Sequence, residues 1–353
     1  MILLTIEWTK AQAVAAFITG VVSIILAIWA FISGRMNHKL TVKSQQELEL
    51  LKSDFAKDIE KLKNELSERK SESDARRVYE FEARKRLYHE YEPLLFQLME
   101  ASDNALHRIQ SLARTAMHGD LGENGWLSQF NYYTKSTIYK LFVPLAIYQI
   151  MQRKLTLVDV SVDKSIGLHY KLAKQIYISY TDDFEFARGN PPIPYNPNHK
   201  DWQVLREKDP RSYWRQGLPM GLLDKSIEFL IEKGANDKER VISYGEFEKK
   251  IGNLGNDKIS DVNLARDIFY LFHPKHRPIL WRLLITQAVV FHTLLELKNV
   301  ELSNINKDLV REALLKINAD FISKFNWKQE GGPEVEEIKE PFQVAKEYLS
   351  KRF

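Results

Sequence analysis

Apolar and polar positions divide this chain into stretches with three different periods. From Ala11 to Gly34 (AQAVAAFITGVVSIILAIWAFISG) nearly every residue is apolar and none is charged. A helix rises about 1.5 Å per residue, so roughly 20 such residues cross a hydrocarbon core of about 30 Å. Residues 1–34 are therefore read as a transmembrane anchor. From Gln45 to Arg69 the apolar residues shrink to one stripe, Leu48, Leu51, Phe55, Ile59, Leu62 and Leu66, set three or four apart among Lys, Glu, Asp and Ser. That spacing predicts a helix with one narrow apolar face, as in a coiled-coil seam or a helix lying on a partner. Residues 35–75 are read as a juxtamembrane coiled-coil stalk, the rival reading being a single solvated helix.

Beyond the stalk, helical spacing recurs in Val78–Met117, Trp126–Gln152, Lys164–Tyr180, Leu222–Lys233, Ser243–Ile251, Val262–Phe272, Ile279–Leu297, Lys307–Phe325 and Pro341–Phe353. The predicted class is all-α: a transmembrane helix, a coiled-coil stalk and a multi-helix body. Pro93 is expected to kink or break the first body helix near Glu92. Leu155–Val162 (LTLVDVSV) has strand character but no partner strand, and is read as a connection. Gly189–His199 (GNPPIPYNPNH) cannot be helix and is read as a boundary between helical subdomains 76–190 and 200–353. Lys328–Lys339 reads as a solvated linker, which leaves the C-terminal helix loosely tethered. No internal repeat or low-complexity tract is read.

Charge sets the orientation of the anchor. Only Glu7 and Lys10 precede the span, whereas Arg35, His38, Lys39 and Lys43 follow it. Basic residues beside a span stay on the cytoplasmic side. The expected topology is single-pass in the inner membrane, N-terminus out, with a cytoplasmic body and with Arg35, Lys39 and Lys43 at lipid headgroups. A cleaved signal peptide would need a basic leader and a shorter apolar core. Small residues recur every four positions at Ala11, Ala15, Thr19, Ser23 and Ala27, flanked by Ala16 and Gly20. Small residues let helix backbones approach closely. Self-association is thus expected through Ala15, Ala16, Thr19, Gly20 and Ser23 in the span, and through the stripe in the stalk, giving a homo-oligomer.

Composition closes several routes to chemistry. The 353 residues contain no cysteine, which excludes disulfides, thiolate metal sites and cysteine nucleophiles. Lys and Arg number 51 against 47 Asp and Glu, a net charge of +4 that does not announce nucleic-acid binding. No Walker A loop, dinucleotide fingerprint, GxSxG elbow or HExxH helix occurs. His273 and His276 lack the further ligands that a metal site needs. No metal and no cofactor is expected.

One spacing is similar to a known signature. HEPN-type ribonucleases, which work without metal, place four to six residues between an Arg and a following His near a helix end. Arg266 to His273 (RDIFYLFH) fits, as does Arg84 to His89 (RKRLYH). His can act as acid or base on a ribose hydroxyl while Arg stabilises phosphorane charge. Seven residues are two helical turns, so Arg266 and His273 are expected on one face. The segments Glu80–Ile109 (EFEARKRLYHEYEPLLFQLMEASDNALHRI) and His273–Ala288 (HPKHRPILWRLLITQA) resemble parts of uncharacterised bacterial single-span membrane proteins with a coil and a helical cytoplasmic body. That resemblance implies architecture and carries no catalytic residues. The expected function is a membrane-anchored, self-associating protein presenting a helical binding or sensing domain to a protein partner. By analogy of build it would be a membrane-acting antiviral defence effector. The alternative is a membrane-tethered ribonuclease using Arg266 and His273.

Overall fold

The computed structural model describes residues 2–35, 42–156, 162–196, 216–234, 238–252, 260–298, 300, 305–328 and 336–353. The chain forms two compact units that divide after Val78. The first holds α1 (Ile2–Arg35) and the opening part of α2 (Val42–Met117). The second, Tyr79–Phe353, holds the rest of α2 together with α3 (Tyr132–Leu155), α4 (Lys164–Ser179), α5 (Asp183–Ala187) and α6 (Met220–Glu228). These are followed by β1 (Ile231–Lys233), β2 (Glu239–Val241), α7 (Tyr244–Gly252), α8 (Ser260–Phe269), α9 (Pro278–Leu297), α10 (Lys307–Leu315), α11 (Ala319–Ser323) and α12 (Glu336–Ser350). Among the described residues the fold is all-α apart from one hairpin, in which Ile231 pairs antiparallel with Val241. Leu222–Lys233, read above as one helix, is α6 and then β1.

The second unit has its own core, whose members run from Leu87 to Leu349. In α2 the buried positions Leu87, Tyr91, Leu94, Leu98, Ala105, Ile109 and Leu112 follow a 3.6-residue period. Pro93 does not break this helix. It lies on the exposed side, so the carbonyl it leaves without an amide donor faces water. Asn131 caps α3 and Asp163 caps α4, each accepting backbone amides of the first turn. Asp163 also accepts the Tyr88 hydroxyl at 2.6 Å, which ties α4 to α2.

At the centre lies α9, with α4, α5, α10 and α12 packed against it. Among the described residues it is the helix long and apolar enough to cross a membrane, with a mean hydropathy of 1.4, yet 83% of its apolar window is buried inside the body. Here it is the core helix. The proline-rich segment lies within the second unit rather than between units: Ile193 donates to the Ala187 carbonyl at 2.8 Å and Tyr195 to Asp183 at 2.6 Å. Helices from both sides of it share one core.

The C-terminal helix departs from its loose expectation. Phe342, Val344, Ala345, Tyr348 and Leu349 of α12 are all buried. Tyr348 stacks on Phe186 at 4.7 Å and donates to Asp182, which also takes Arg352 at 2.9 Å. The linker drew attention for its polarity, but the apolar face of the helix decides its placement. Of the other expectations, most of Leu155–Val162 and all of 197–215 lie outside the described residues.

Candidate functional site

Two exposed apolar surfaces and a proline-lined cleft stand out among the described residues. On α1 the described side chains from Ala13 to Trp29 are all exposed, with Phe17 72% accessible. Ala15, Ala16, Thr19, Gly20 and Ser23 lie within this stretch. Its two hydroxyls are satisfied inside the helix, Thr19 on the Ala15 carbonyl and Ser23 on the Thr19 carbonyl, both at 2.8 Å. Such back-bonding leaves no polar group of the stretch needing water. On α2 the stripe residues Phe55, Ile59, Leu62 and Leu66 are 52 to 64% accessible. Leu48 and Leu51 are in the same helix, with side chains outside the described part, as are those of Arg35 and Lys43. Lys39 lies outside the described residues altogether.

Arg266 and His273 do not share one continuous helix. The helix that would align them, α8, ends at Phe269, and Leu271 turns the chain at φ 53°. Two uninterrupted turns, the premise of a shared face, are absent. Arg266 reaches Asp267 at 3.4 Å and lies 5.9 Å from the Phe130 ring centroid. His273 instead accepts the Lys275 amide on Nδ1 at 3.1 Å and meets Trp327 edge-on at 5.6 Å. Burial, then the neighbouring charges of His276 and Lys275, lowers His273 to about 4, so it is neutral at pH 7. In the second Arg–His spacing, which lies within α2, Arg84 bonds the Val162 carbonyl and His89 pairs with Glu90. Among the described residues no group of three His, Cys, Asp or Glu could hold a metal ion.

Both proline-bearing segments that stood out in the sequence meet at one cleft of about 400 Å³. Pro191, Pro274, Pro278, Trp281, Trp327 and Pro341 form its apolar walls. Its floor is Arg282, whose side chain is only 2% accessible. The guanidinium pairs with Glu340 at 2.6 Å and donates to the carbonyls of Phe186 and Pro191, also at 2.6 Å. Burial pushes the Glu340 carboxyl up, and Arg282 pulls it partly back. Lys275, Glu336 and Glu337 are charged members of the lining. Sequence reasoning marked the prolines but not Arg282, which stands in an otherwise apolar run, IL-W-R-LLI. A lone charge in such a run signals a buried pair. The arrangement suits shape-selective binding.

No protein-family model, no curated protein and no solved structure matches this chain.

Proposed function

We propose that this protein is held in a lipid bilayer by α1, self-associates through α1 and the opening part of α2, and presents the Tyr79–Phe353 unit as a helical binding module. The observation that carries this reading is the exposed apolar helix α1, followed by a second helix that exposes an apolar stripe. Isolated exposed apolar residues are ordinary, but a continuous set this large needs a cover. Bilayer suits α1, where every described side chain from Ala13 to Trp29 faces outward. Another helix suits the stripe of α2. Orientation with the body in the cytoplasm rests on the basic residues after α1. In this reading the 400 Å³ cleft is the place where the module takes a ligand or a partner segment. A defence role, in which assembly perturbs the membrane, would show as ion leakage on expression.

Light scattering on the detergent-solubilised full chain, beside a chain starting at Arg76, tests the reading. The core of the second unit lies wholly after Arg76, so the shorter chain keeps it. A defined oligomer for the full chain and a monomer for the shorter one are expected. Replacing Phe55 and Leu62 by Glu removes two seam residues, each worth about 1.5–3 kcal/mol when buried, and lowers the oligomer to monomer. A full chain that is monomeric at micromolar concentration overturns the proposal.

A further inference from the structure

An 11-residue repeat runs along α2. Glu47–Lys57 (ELELLKSDFAK) aligned on Asp58–Glu68 (DIEKLKNELSE) matches Leu48 with Ile59, Leu51 with Leu62 and Phe55 with Leu66. Four charged positions repeat in sign, Glu47 with Asp58, Glu49 with Glu60, Lys52 with Lys63 and Asp54 with Glu65, whereas Leu50 aligns with Lys61 and Lys57 with Glu68. Both copies lie in one unbroken helix, and the described stripe residues are exposed. Steps of three and four alone do not reveal this repeat, because they fit 7-residue and 11-residue periods alike.

Period fixes how such a stripe can be covered. Around the helix, the six stripe positions span about 80° in a straight α-helix of 3.6 residues per turn, and about 105° at the 3.5 of a left-handed coiled coil. At 11 residues per three turns they narrow to about 65°. By register the repeat also sorts charge. Lys52 and Lys63 fall on one flank of the stripe, and Glu47, Asp54, Asp58 and Glu65 on the other. When two copies lie parallel, the basic flank of each meets the acidic flank of the other. Antiparallel, like meets like, which is unfavourable.

We infer that the stripe is covered by a second copy of this chain, parallel and in register, along a seam of 11-residue phase that runs straight to slightly right-handed. This rests on the self-association proposed above and adds its direction, register and pitch. Downstream the stripe positions become Lys70, Ser73 and Arg77, so the apolar seam closes after Leu66.

The absence of cysteine makes the test direct. Single cysteines are placed along α2 of the full chain in native membranes, and same-residue disulfides are read after mild oxidation. A disulfide requires Cβ atoms about 3.5–4.5 Å apart. Strong bonds are expected for Phe55→Cys, Ile59→Cys, Leu62→Cys and Leu66→Cys. Leu51→Cys should exceed Lys52→Cys, and Lys70→Cys exceed Arg69→Cys, each by about threefold. If 52 and 69 exceed 51 and 70, the seam is an ordinary heptad coil: the pitch is overturned and self-association stands. If only one position links, the copies are antiparallel or out of register, and the inference fails. If no position links, self-association itself falls.

Discussion

Lowering the pH from 7 to 5 should weaken the body through one buried histidine of α4. His169 sits on the buried face of α4, 2% accessible, with neither ring nitrogen hydrogen-bonded. Burial holds its imidazole at about 4, below its ordinary 6.5. A tenfold change in proton affinity is about 1.4 kcal/mol, so the gap is worth about 3 kcal/mol in all. The unfolded chain takes up the proton first as pH falls. Stability is therefore full above about 6.5 and declines down to about 4, with about 2 kcal/mol lost between pH 7 and pH 5. His169→Leu, close in volume, removes that share. At pH 7 it should match or exceed the parent, because no hydrogen bond to the ring is forfeited. Urea unfolding of the chain starting at Arg76, followed by circular dichroism at both pH values, measures it. His273 and His292, also lowered by burial, add slopes of the same sign in both proteins and cancel in the comparison. Equal loss for parent and variant would refute the reasoning.

Other expectations follow from single contacts. Glu340→Ala leaves the Arg282 guanidinium buried with carbonyls alone and should cost about 2–4 kcal/mol by denaturant unfolding; a change below about 0.5 kcal/mol would mean that the pair is solvated. Gly189→Ala sets a Cβ 2.7 Å from Val344 Cγ2 and 2.8 Å from Arg282 Nη1, so the melting temperature should fall by an amount equivalent to about 1–3 kcal/mol. Arg266→Ala and His273→Ala touch different groups, so their effects on stability should add to within about 0.5 kcal/mol. A larger coupling between them would restore the idea of a shared site.

The helices were legible wherever burial imposed a period, as along Leu87 to Leu112, and the start of α4 falls at Lys164 as expected, just after its cap Asp163. Short elements were not. Three residues of strand at Ile231–Lys233 cannot display alternation, and Asn318 splits the predicted Lys307–Phe325 helix by capping α11. Trp126–Gln152 loses its first turns because Asn131 caps the helix at Tyr132. The Arg266–His273 spacing fixes a shared face only while the helix continues, and Leu271 takes a left-handed conformation instead. His169 could have been found: it occupies the stripe between Ile166 and Leu172, where a titratable group must be buried. The partners of Arg282 could not, since Phe186, Pro191 and Glu340 approach it from distant parts of the chain.

The core helix α9 also poses a sorting problem during synthesis. A 20-residue helix of this hydropathy is a segment that the insertion machinery can sample before the body has closed around it. Arg282, five residues into the helix, disfavours that route: an arginine in a spanning segment costs up to about 3 kcal/mol on the biological insertion scale, and less toward the end of a helix. The same guanidinium that must find Glu340, Phe186 and Pro191 in the folded body makes lipid a poor alternative home for α9. One buried charge thus bears both on how α9 is held in the core and on how poorly α9 would suit a bilayer.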